Sequence, residues 1–250
     1  MIRKGSIPYR MIAGAGLVLI RAFEWMIRRQ SGDRVFYESR EFPWTSRVEA
    51  GWKDIRQELE QVLAAPRPVP SFESVSEEQA RIVQPEHWKT FFFYAYGHRV
   101  DDGCARCPKT VALLDSIPGM TTAMFSILTP GTRIAPHRGP FKGVLRYHLA
   151  LIVPADGERC AIRVGGEGRR WREGEGLVFD DTYEHEAWNE TDEVRGVLFV
   201  DFLRKLPFPL SALNRGMIHL IGASPFVQNM VENLNRMNGR IADAPLPLAS

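Results

Sequence analysis

The longest β-type run of this 250-residue chain reads Gly143-Val144-Leu145-Arg146-Tyr147-His148-Leu149-Ala150-Leu151-Ile152-Val153. Successive side chains of a strand point to opposite faces of the sheet, so alternation assigns each residue to one side. Burying an arginine and a histidine on one face costs several kcal/mol unless both find partners, typically an anion. The polar face is therefore a candidate binding surface. Leu145, Tyr147, Leu149, Leu151 and Val153 are predicted on one face, and Arg146, His148, Ala150 and Ile152 on the other.

Shorter β-type runs surround this one and are separated by turn residues. Pairs such as Pro130-Gly131 and Gly165-Gly166 mark the turns. Short strands at such intervals are typical of a β-sandwich or β-barrel, including the two-sheet jelly roll. We therefore predict a mainly β fold with flanking helices. The predicted strands are Trp88–Tyr96, Met124–Leu128, Gly143–Val153, Arg159–Val164, Gly176–Phe179 and Val194–Phe202.

Helical patterns flank the β-type region on both sides. Ser46 and Glu49 form a capping box followed by apolar residues at helical spacing, which predicts an amphipathic helix over 47–65. Helical patterns return after Pro207 and continue to about Met237. The expected organisation is an N-terminal helix within 1–40, a central domain over 41–206 with its β core at about 88–203, and a C-terminal helical tail over 207–250.

The N-terminal helix is predicted to be amphipathic. Met11 to Ile20 is apolar or small, but Arg21 and Glu24 interrupt it before the ~20 residues that a membrane span needs. The charged residues fall within one stripe of the helix. The helix therefore either docks on the protein itself or lies in a membrane interface as a peripheral contact, and a true span is a third alternative.

Composition excludes several classes of function. A net charge of +2 gives no basis for nucleic-acid binding. Three cysteines are too few for a disulfide framework. Cys104 and Cys107 form an isolated CxxC pair, without the second pair of a zinc knuckle, and we expect a structural loop there. A reducing compartment fits this cysteine content best.

Two histidines close to turns are the candidate metal ligands. His137 is followed two residues later by Gly139, where the usual iron triad has a carboxylate, and His185 lies downstream in an acidic segment. A neutral imidazole is a good Fe(II) ligand, and two of them at strand ends leave coordination positions open. The polar groups on the other predicted strands form a cationic set that suits a dicarboxylate. These are Ser126, Arg146, His148 and Arg195.

A series of short motifs extends from about Cys107 to Asp201. Together they resemble the aspartyl/asparaginyl β-hydroxylases, a family of Fe(II)- and 2-oxoglutarate-dependent oxygenases, over about Trp52 to Phe202. The motifs are Cys107-Pro108-Lys109-Thr110, Pro130-Gly131-Thr132, Pro136-His137-Arg138-Gly139-Pro140, Leu145-Arg146-Tyr147-His148-Leu149, Trp171-Arg172-Glu173-Gly174, Phe179-Asp180-Asp181-Thr182-Tyr183-Glu184-His185-Glu186-Ala187-Trp188, and the run from Arg195 to Asp201.

The resemblance implies a fold, a cofactor set and roles for particular residues. The core would be a double-stranded β-helix, a jelly roll of the cupin type, and the region 41–206 would be the oxygenase domain. The family binds iron through two histidines, with glycine in place of the carboxylate, so His137 and His185 would be the iron ligands. The cofactors would be Fe(II), 2-oxoglutarate and O2. Residues expected to bind 2-oxoglutarate are Ser126, Arg146, His148 and Arg195, with Arg195 on the distal carboxylate.

Two substrate classes follow from the resemblance. Some members hydroxylate the β-carbon of Asp or Asn in peptides, and Gly139 matches that group. Others resemble bacterial enzymes that hydroxylate the 2-position of a fatty acyl chain in lipid A or ornithine lipid. The N-terminal helix and the helical tail favour the lipid group. We therefore expect a lipid substrate, with a peptide as the alternative, and a protein in the cytoplasm or at the cytoplasmic face of a bacterial inner membrane.

Three other interpretations of the site stay open at this stage. One of the acidic neighbours of His185 could orient its ring or supply the missing carboxylate ligand. A chloride ion at the glycine position would make the protein an iron halogenase. A cupin-like barrel without activity would be a sensor. The acidic neighbours are Asp180, Asp181, Glu184 and Glu186.

Overall fold

Two antiparallel sheets form the centre of the structure, a computed structural model that describes residues 22–30, 32–75 and 82–242. The strands are β1 (Phe36–Tyr37), β2 (Trp88–Ala95), β3 (His98–Arg99), β4 (Met120–Leu128), β5 (Thr132–His137), β6 (Val144–Ile152), β7 (Cys160–Val164), β8 (Glu167–Arg170), β9 (Gly176–Phe179), β10 (His185–Asn189) and β11 (Arg195–Leu203). The helices are α1 (22–30), α2 (Trp44–Ala50), α3 (Trp52–Ala64), α4 (Phe72–Val75), α5 (Asp101–Arg106), α6 (Pro108–Leu114), α7 (Leu210–Gly222) and α8 (Pro225–Ala242).

The strand order is that of a two-sheet jelly roll. The larger sheet has the order β1-β9-β6-β11-β4-β2-β3, and the smaller has the order β5-β10-β7-β8. Both sheets are antiparallel throughout. The predicted mainly β, jelly-roll fold is confirmed. The sequence prediction did not include β5, β8 and β10 as strands, nor the two-residue strands β1 and β3.

The larger sheet is buried on both faces. Its outer face packs on the apolar sides of α2, α3 and α6. Its inner face packs against the smaller sheet at one end, through residues such as Leu128, Val197 and Ile162. At the other end, the inner face packs against α4 and α8. The space between the sheets is therefore closed on one side by strands and on the other by helices.

The alternation predicted for β6 holds for most of the strand and fails at its end. Leu149 and Leu151 lie in the outer core, while Ala150 lies between the sheets. A register shift in the pairing with β11 then reverses the last two residues, because a bulge adds one unpaired residue. Ile152 packs on the outer core and Val153 on the inner one, opposite to the prediction.

The predicted helix over 47–65 is two helices, and the predicted capping box is wrong. The first, α2, begins at Trp44 directly after Pro43, a residue favoured at helix starts because its φ is already helical. Gly51 separates α2 from α3. A Cβ at Gly51 would lie 2.5 Å from the end of the Leu113 side chain of α6, so a larger residue would require that side chain to move.

Both chain ends contribute helices to the surface. On α1, Phe23 and Ile27 are buried against Phe141, Val144 and Leu206. Within the region of the predicted helical tail, the described residues form α7 and α8. The apolar segment Met11 to Ile20 lies outside the described residues. Among the described residues, none of the helices is both long and apolar enough to cross a bilayer.

Candidate active site

The two candidate ligands, His137 and His185, face each other on neighbouring strands. His137 ends β5, His185 begins β10, and the two are paired in the register of the smaller sheet. Their ring centroids are 4.1 Å apart. The strand pairing therefore brings together two residues that lie far apart in sequence, as the motif prediction requires.

Each ring is oriented by a backbone carbonyl two residues before it. The Nδ1 atom of His137 lies 2.8 Å from the carbonyl oxygen of Ala135, and that of His185 lies 3.0 Å from that of Tyr183. A carbonyl can only accept a hydrogen bond, so each Nδ1 carries the proton. Both Nε2 atoms consequently keep a free lone pair, which is the state of a metal-binding histidine.

Burial keeps both rings in the neutral form. It lowers the pKa of His137, with a smaller contribution from the Arg146 guanidinium. For His185, burial, together with the nearby His137 and Arg146, lowers the pKa to about 3. Neither ring therefore needs to lose a proton at neutral pH before it can bind a cation.

A carboxylate occupies the space beside Gly139. A Cβ built on Gly139 would lie 2.0 Å from Oδ2 of Asp181, and the Gly139 amide donates to the Asp181 carbonyl at 2.8 Å. Asp181 is buried, and its Oδ1 has no hydrogen-bond partner. Burial raises its pKa to about 6, although Arg146 opposes the shift. The glycine thus makes room for a carboxylate that comes from a different part of the chain.

The acidic neighbours of His185 other than Asp181 make contacts away from its ring, and the prediction that an acidic neighbour supplies a metal ligand stays a prediction. None of their side chains orients the ring, because that hydrogen bond goes to a backbone carbonyl. Asp180 is buried and binds Lys142 and Arg204, each at 2.6 Å, which anchors the loop before β10. Glu184 is exposed, and Glu186 pairs with arginines on the outer side of the smaller sheet.

Arg195 is a buried cation without a carboxylate partner. Lys142 and Arg204, the other buried basic side chains in the described ranges, both bind Asp180. The Arg195 guanidinium donates to the Ser126 carbonyl at 3.1 Å and lies over the Trp171 ring at 4.5 Å, while its Nε has no partner. Burial lowers its pKa to about 10. A buried charge in this condition calls for an anion.

More unpaired polar atoms surround Arg195. Both ring nitrogens of His148 and the Nε1 of Trp171 are buried without hydrogen-bond partners. Burial lowers the pKa of His148 well below its usual value, and the nearby Arg195 and Arg146 lower it further, so the ring is neutral. The Ser126 hydroxyl, also buried, accepts from Trp88 at 3.0 Å. Three of the predicted cosubstrate residues therefore lie together around a set of unused donors.

Arg146, the fourth predicted residue, lies nearer the histidine pair. Its guanidinium binds Asp201 through two hydrogen bonds, of 2.8 and 3.1 Å, and Asp181 at 2.9 Å. It lines a cavity together with His137 and Gly139. Its charge is already balanced by two carboxylates, so its assignment to 2-oxoglutarate stays a prediction. Sequence analysis missed Asp201 and Trp171, although both lie within the motifs quoted above.

The donor set suits a metal held by few protein ligands. Within ranges 22–30, 32–75 and 82–242, no three His, Cys, Asp or Glu side chains form a complete metal-binding group. The pair of free Nε2 atoms, with a carboxylate beside it, matches a centre with open positions for other ligands. The CxxC thiols are buried, and burial raises the pKa of Cys107 to about 12, a value typical of an inert thiol.

Comparison with known proteins identifies the family. The family model of aspartyl/asparaginyl beta-hydroxylase matches residues 49–205. The chain belongs to the aspartyl/asparaginyl β-hydroxylase family. It is 43% identical over 202 residues to ornithine lipid ester-linked acyl 2-hydroxylase of Rhizobium tropici, covering 81% of this chain and 72% of that protein. It is 32% identical over 187 residues to aspartyl/asparaginyl beta-hydroxylase of Mus musculus, covering 73% of this chain but only 23% of the mouse protein.

Two solved structures show a weak likeness to this chain. One is the Cupin_2 domain of an XRE family regulator from Enterobacter cloacae, 17% identical, with a TM-score of 0.29 over 34% of this chain and 82% of that one. Another is a predicted oxalate decarboxylase from Thermotoga maritima, 16% identical, with a TM-score of 0.29 over 38% and 73%. Likeness at this level carries no functional information. The predicted family, its hydroxylase character and the jelly-roll fold are nonetheless confirmed.

Replacement of Gly139 tests whether the Asp181 carboxylate fills the space beside it. The variant Gly139→Ala should lose about 1–3 kcal/mol of unfolding free energy, because the new methyl group overlaps the Asp181 carboxylate in a packed site. Chemical denaturation measures the loss. Adding Asp181→Ala should recover part of it. Gly168→Ala is the matched control, since nothing lies within 4 Å of a Cβ there. Equal losses at both glycines would contradict the overlap.

Proposed function

We propose that the protein is an Fe(II)- and 2-oxoglutarate-dependent hydroxylase. The observation that carries the proposal is the pair His137 and His185, both neutral and with free Nε2 atoms, close to a cluster of buried donors that lacks an anion. When bound, iron and 2-oxoglutarate supply the chemistry that inserts one oxygen atom of O2 into a C–H bond. The chain's own residues position these groups and exclude water.

His137 and His185 would hold the iron through their Nε2 atoms. The two backbone carbonyls keep both rings in the correct tautomer. Asp181 places negative charge beside the pair without a Gly139 side chain in the way.

Arg195 would bind the distal carboxylate of 2-oxoglutarate. Its guanidinium is buried and has no carboxylate partner among the described residues, and a bidentate arginine–carboxylate contact is among the strongest charge-assisted hydrogen bonds. The Ser126 hydroxyl and the His148 ring nitrogens lie in the same cluster and would donate to or accept from the bound acid. Arg146 would act at the side nearer the histidines, where it lines the cavity.

The substrate we propose is a fatty acyl chain of a membrane lipid, hydroxylated at its 2-position. The support is the 43% identity to the Rhizobium tropici acyl 2-hydroxylase over most of both chains. A surface feature fits peripheral membrane contact. Trp25 of α1 and Leu213 and Leu220 of α7 are exposed apolar side chains. Hydroxylation of Asp or Asn in a peptide is the alternative, as the name of the mouse relative indicates.

Two measurements, made one after the other, test the proposal. Purified protein with Fe(II) should convert 2-oxoglutarate to succinate, at least slowly without substrate. Mass spectrometry of lipids from cells with and without the gene should then find an acyl species heavier by one oxygen atom only when the gene is present. Succinate production with unchanged lipids would shift the substrate to a peptide, and no succinate with any metal addition would overturn the activity itself.

A further inference from the structure

The cavity next to the histidine pair has a polar side and an apolar side. His137, Arg146, Asp181 and Asp201 line the polar side. The cavity measures about 120 Å³, below the ~300–1,000 Å³ of pockets that enclose a whole drug-sized ligand. A substrate would therefore place only one part of itself at the histidines, and the rest would have to pass the rim.

The apolar side is built from five elements of the fold. Its side chains are Phe72 of α4, Phe92 of β2, Met124 of β4, Phe199 of β11 and Met230 of α8. Phe92, Met124, Phe199 and Met230 belong to one buried cluster, with Phe72 packed against it. These side chains contain no N–H, O–H or C=O group that could form a hydrogen bond with a peptide main chain. A peptide main chain lying there would lose hydrogen bonds to water, whereas an alkyl chain would lose none.

Met230 lies on α8, a helix outside the segment of this chain that the family model matches. That segment ends at residue 205, and α8 begins at Pro225. The helix covers the end of the larger sheet's inner face that the smaller sheet leaves open, and it packs against α4 there. A part of the chain beyond the matched family domain therefore supplies one wall of the cavity.

We infer that α8 forms the wall that selects an aliphatic chain, and that Met230 is the specificity-determining contact for the acyl substrate. This inference rests on the proposed function, since it names the part of the cavity that receives the chain. Methionine suits the role because its unbranched, flexible side chain adapts to an alkyl group that passes beside it. Phe72 completes the same side of the cavity from α4.

The test compares Met230→Ala with Leu234→Ala in the full chain. Leu234 lies one helical turn away, equally buried in the same cluster, but does not line the cavity. Both variants remove a buried apolar side chain from the same helix and should lose similar stability. The substrates are ornithine lipids in micelles, with a linear ester-linked acyl chain or the same chain carrying a methyl branch.

The readout is the ratio of kcat/KM for the linear chain over the branched chain. We expect Met230→Ala to lower this ratio about tenfold, because a widened wall admits the branch and a methyl group in an apolar pocket is worth roughly this factor. Leu234→Ala should keep the wild-type ratio. Met230→Leu, which preserves the volume of the side chain and so should fold with the wall intact, is expected to keep a ratio close to that of wild type.

Each result separates this inference from the proposed function. The same ratio in wild type and in both Met230 variants would overturn the role of α8 while leaving the acyl hydroxylase intact. A wild-type protein that makes succinate and hydroxylates an Asp- or Asn-containing peptide, but neither lipid, would overturn the acyl substrate and this inference together. A wild-type protein without succinate production would remove the proposed function itself.

Discussion

Replacing His137 or His185 with alanine should abolish the conversion of 2-oxoglutarate to succinate. Each ring contributes one of the two Nε2 atoms of the facing pair, so a single replacement leaves one imidazole of the pair to hold the metal. Loss of an outer-shell partner alone typically costs ~10–100-fold in metal affinity or activity, and loss of a direct ligand should exceed that. Turnover by each variant should therefore fall below about 1% of wild type.

A measurement of metal affinity and a control replacement of another histidine show whether the loss of turnover is due to lost metal binding. Titration with Fe(II) under anaerobic conditions should give one tight site in wild type and a strongly weakened one in each variant. His98→Ala is the control, since this histidine lies exposed on the edge strand β3, away from the pair. It should keep both turnover and metal affinity. Succinate production at the wild-type level by the His137→Ala/His185→Ala double variant would refute the iron assignment.

Sequence patterns predicted which candidate residues lie near one another better than they predicted the local fold. The residues expected at the metal lie on the smaller sheet and those expected at the cosubstrate on the larger one, and strand alternation directs both sets toward the space between the sheets. His137 and His185 become neighbours through strand register. The three runs that form β5, β8 and β10 lack a strong apolar alternation, since most of their residues are polar or charged, so they were missed.

The errors have a common physical origin in tertiary packing. The break between α2 and α3 falls at Gly51, where the Leu113 side chain of α6 packs, and the reversal at the end of β6 follows from a bulge in its pairing with β11. The carboxylate beside Gly139 could not be assigned from spacing either. Asp181 reaches that space only through the loop before β10, where Lys142 and Arg204 bind the neighbouring Asp180.

Replacing Arg195 with methionine should raise the 2-oxoglutarate concentration needed for half-maximal turnover by at least about 30-fold. Truncating one partner of a buried, hydrogen-bonded charge pair costs about 2–5 kcal/mol, and the lower figure corresponds to this factor. Methionine keeps the length of the aliphatic stem and removes only the guanidinium. The ring of Trp171 would lose its cation contact but keep its packing. Steady-state kinetics at varied 2-oxoglutarate measures the change.

The stability of the protein without 2-oxoglutarate provides an independent test of Arg195. Its replacement should weaken 2-oxoglutarate binding but should not lower this stability. The pKa of Arg195 is lowered by burial, so the folded state binds this proton less tightly than the unfolded state, and the charge destabilises the fold at neutral pH. Arg195→Met should therefore keep or raise the melting temperature. Arg204→Met is the control, because it leaves the buried Asp180 with one cation fewer and should cost ~3–5 kcal/mol.

Added 2-oxoglutarate should then distinguish the Arg195→Met variant from the Arg204→Met variant by the change in melting temperature. A ligand present at 100 times its Kd stabilises a protein by about 2.7 kcal/mol, so wild type and Arg204→Met should both gain melting temperature on its addition. Arg195→Met should gain little at the same concentration, because its Kd has risen. If Arg195→Met instead lost stability as Arg204→Met does and still responded fully to 2-oxoglutarate, Arg195 would be a structural cation rather than the anchor of the cosubstrate.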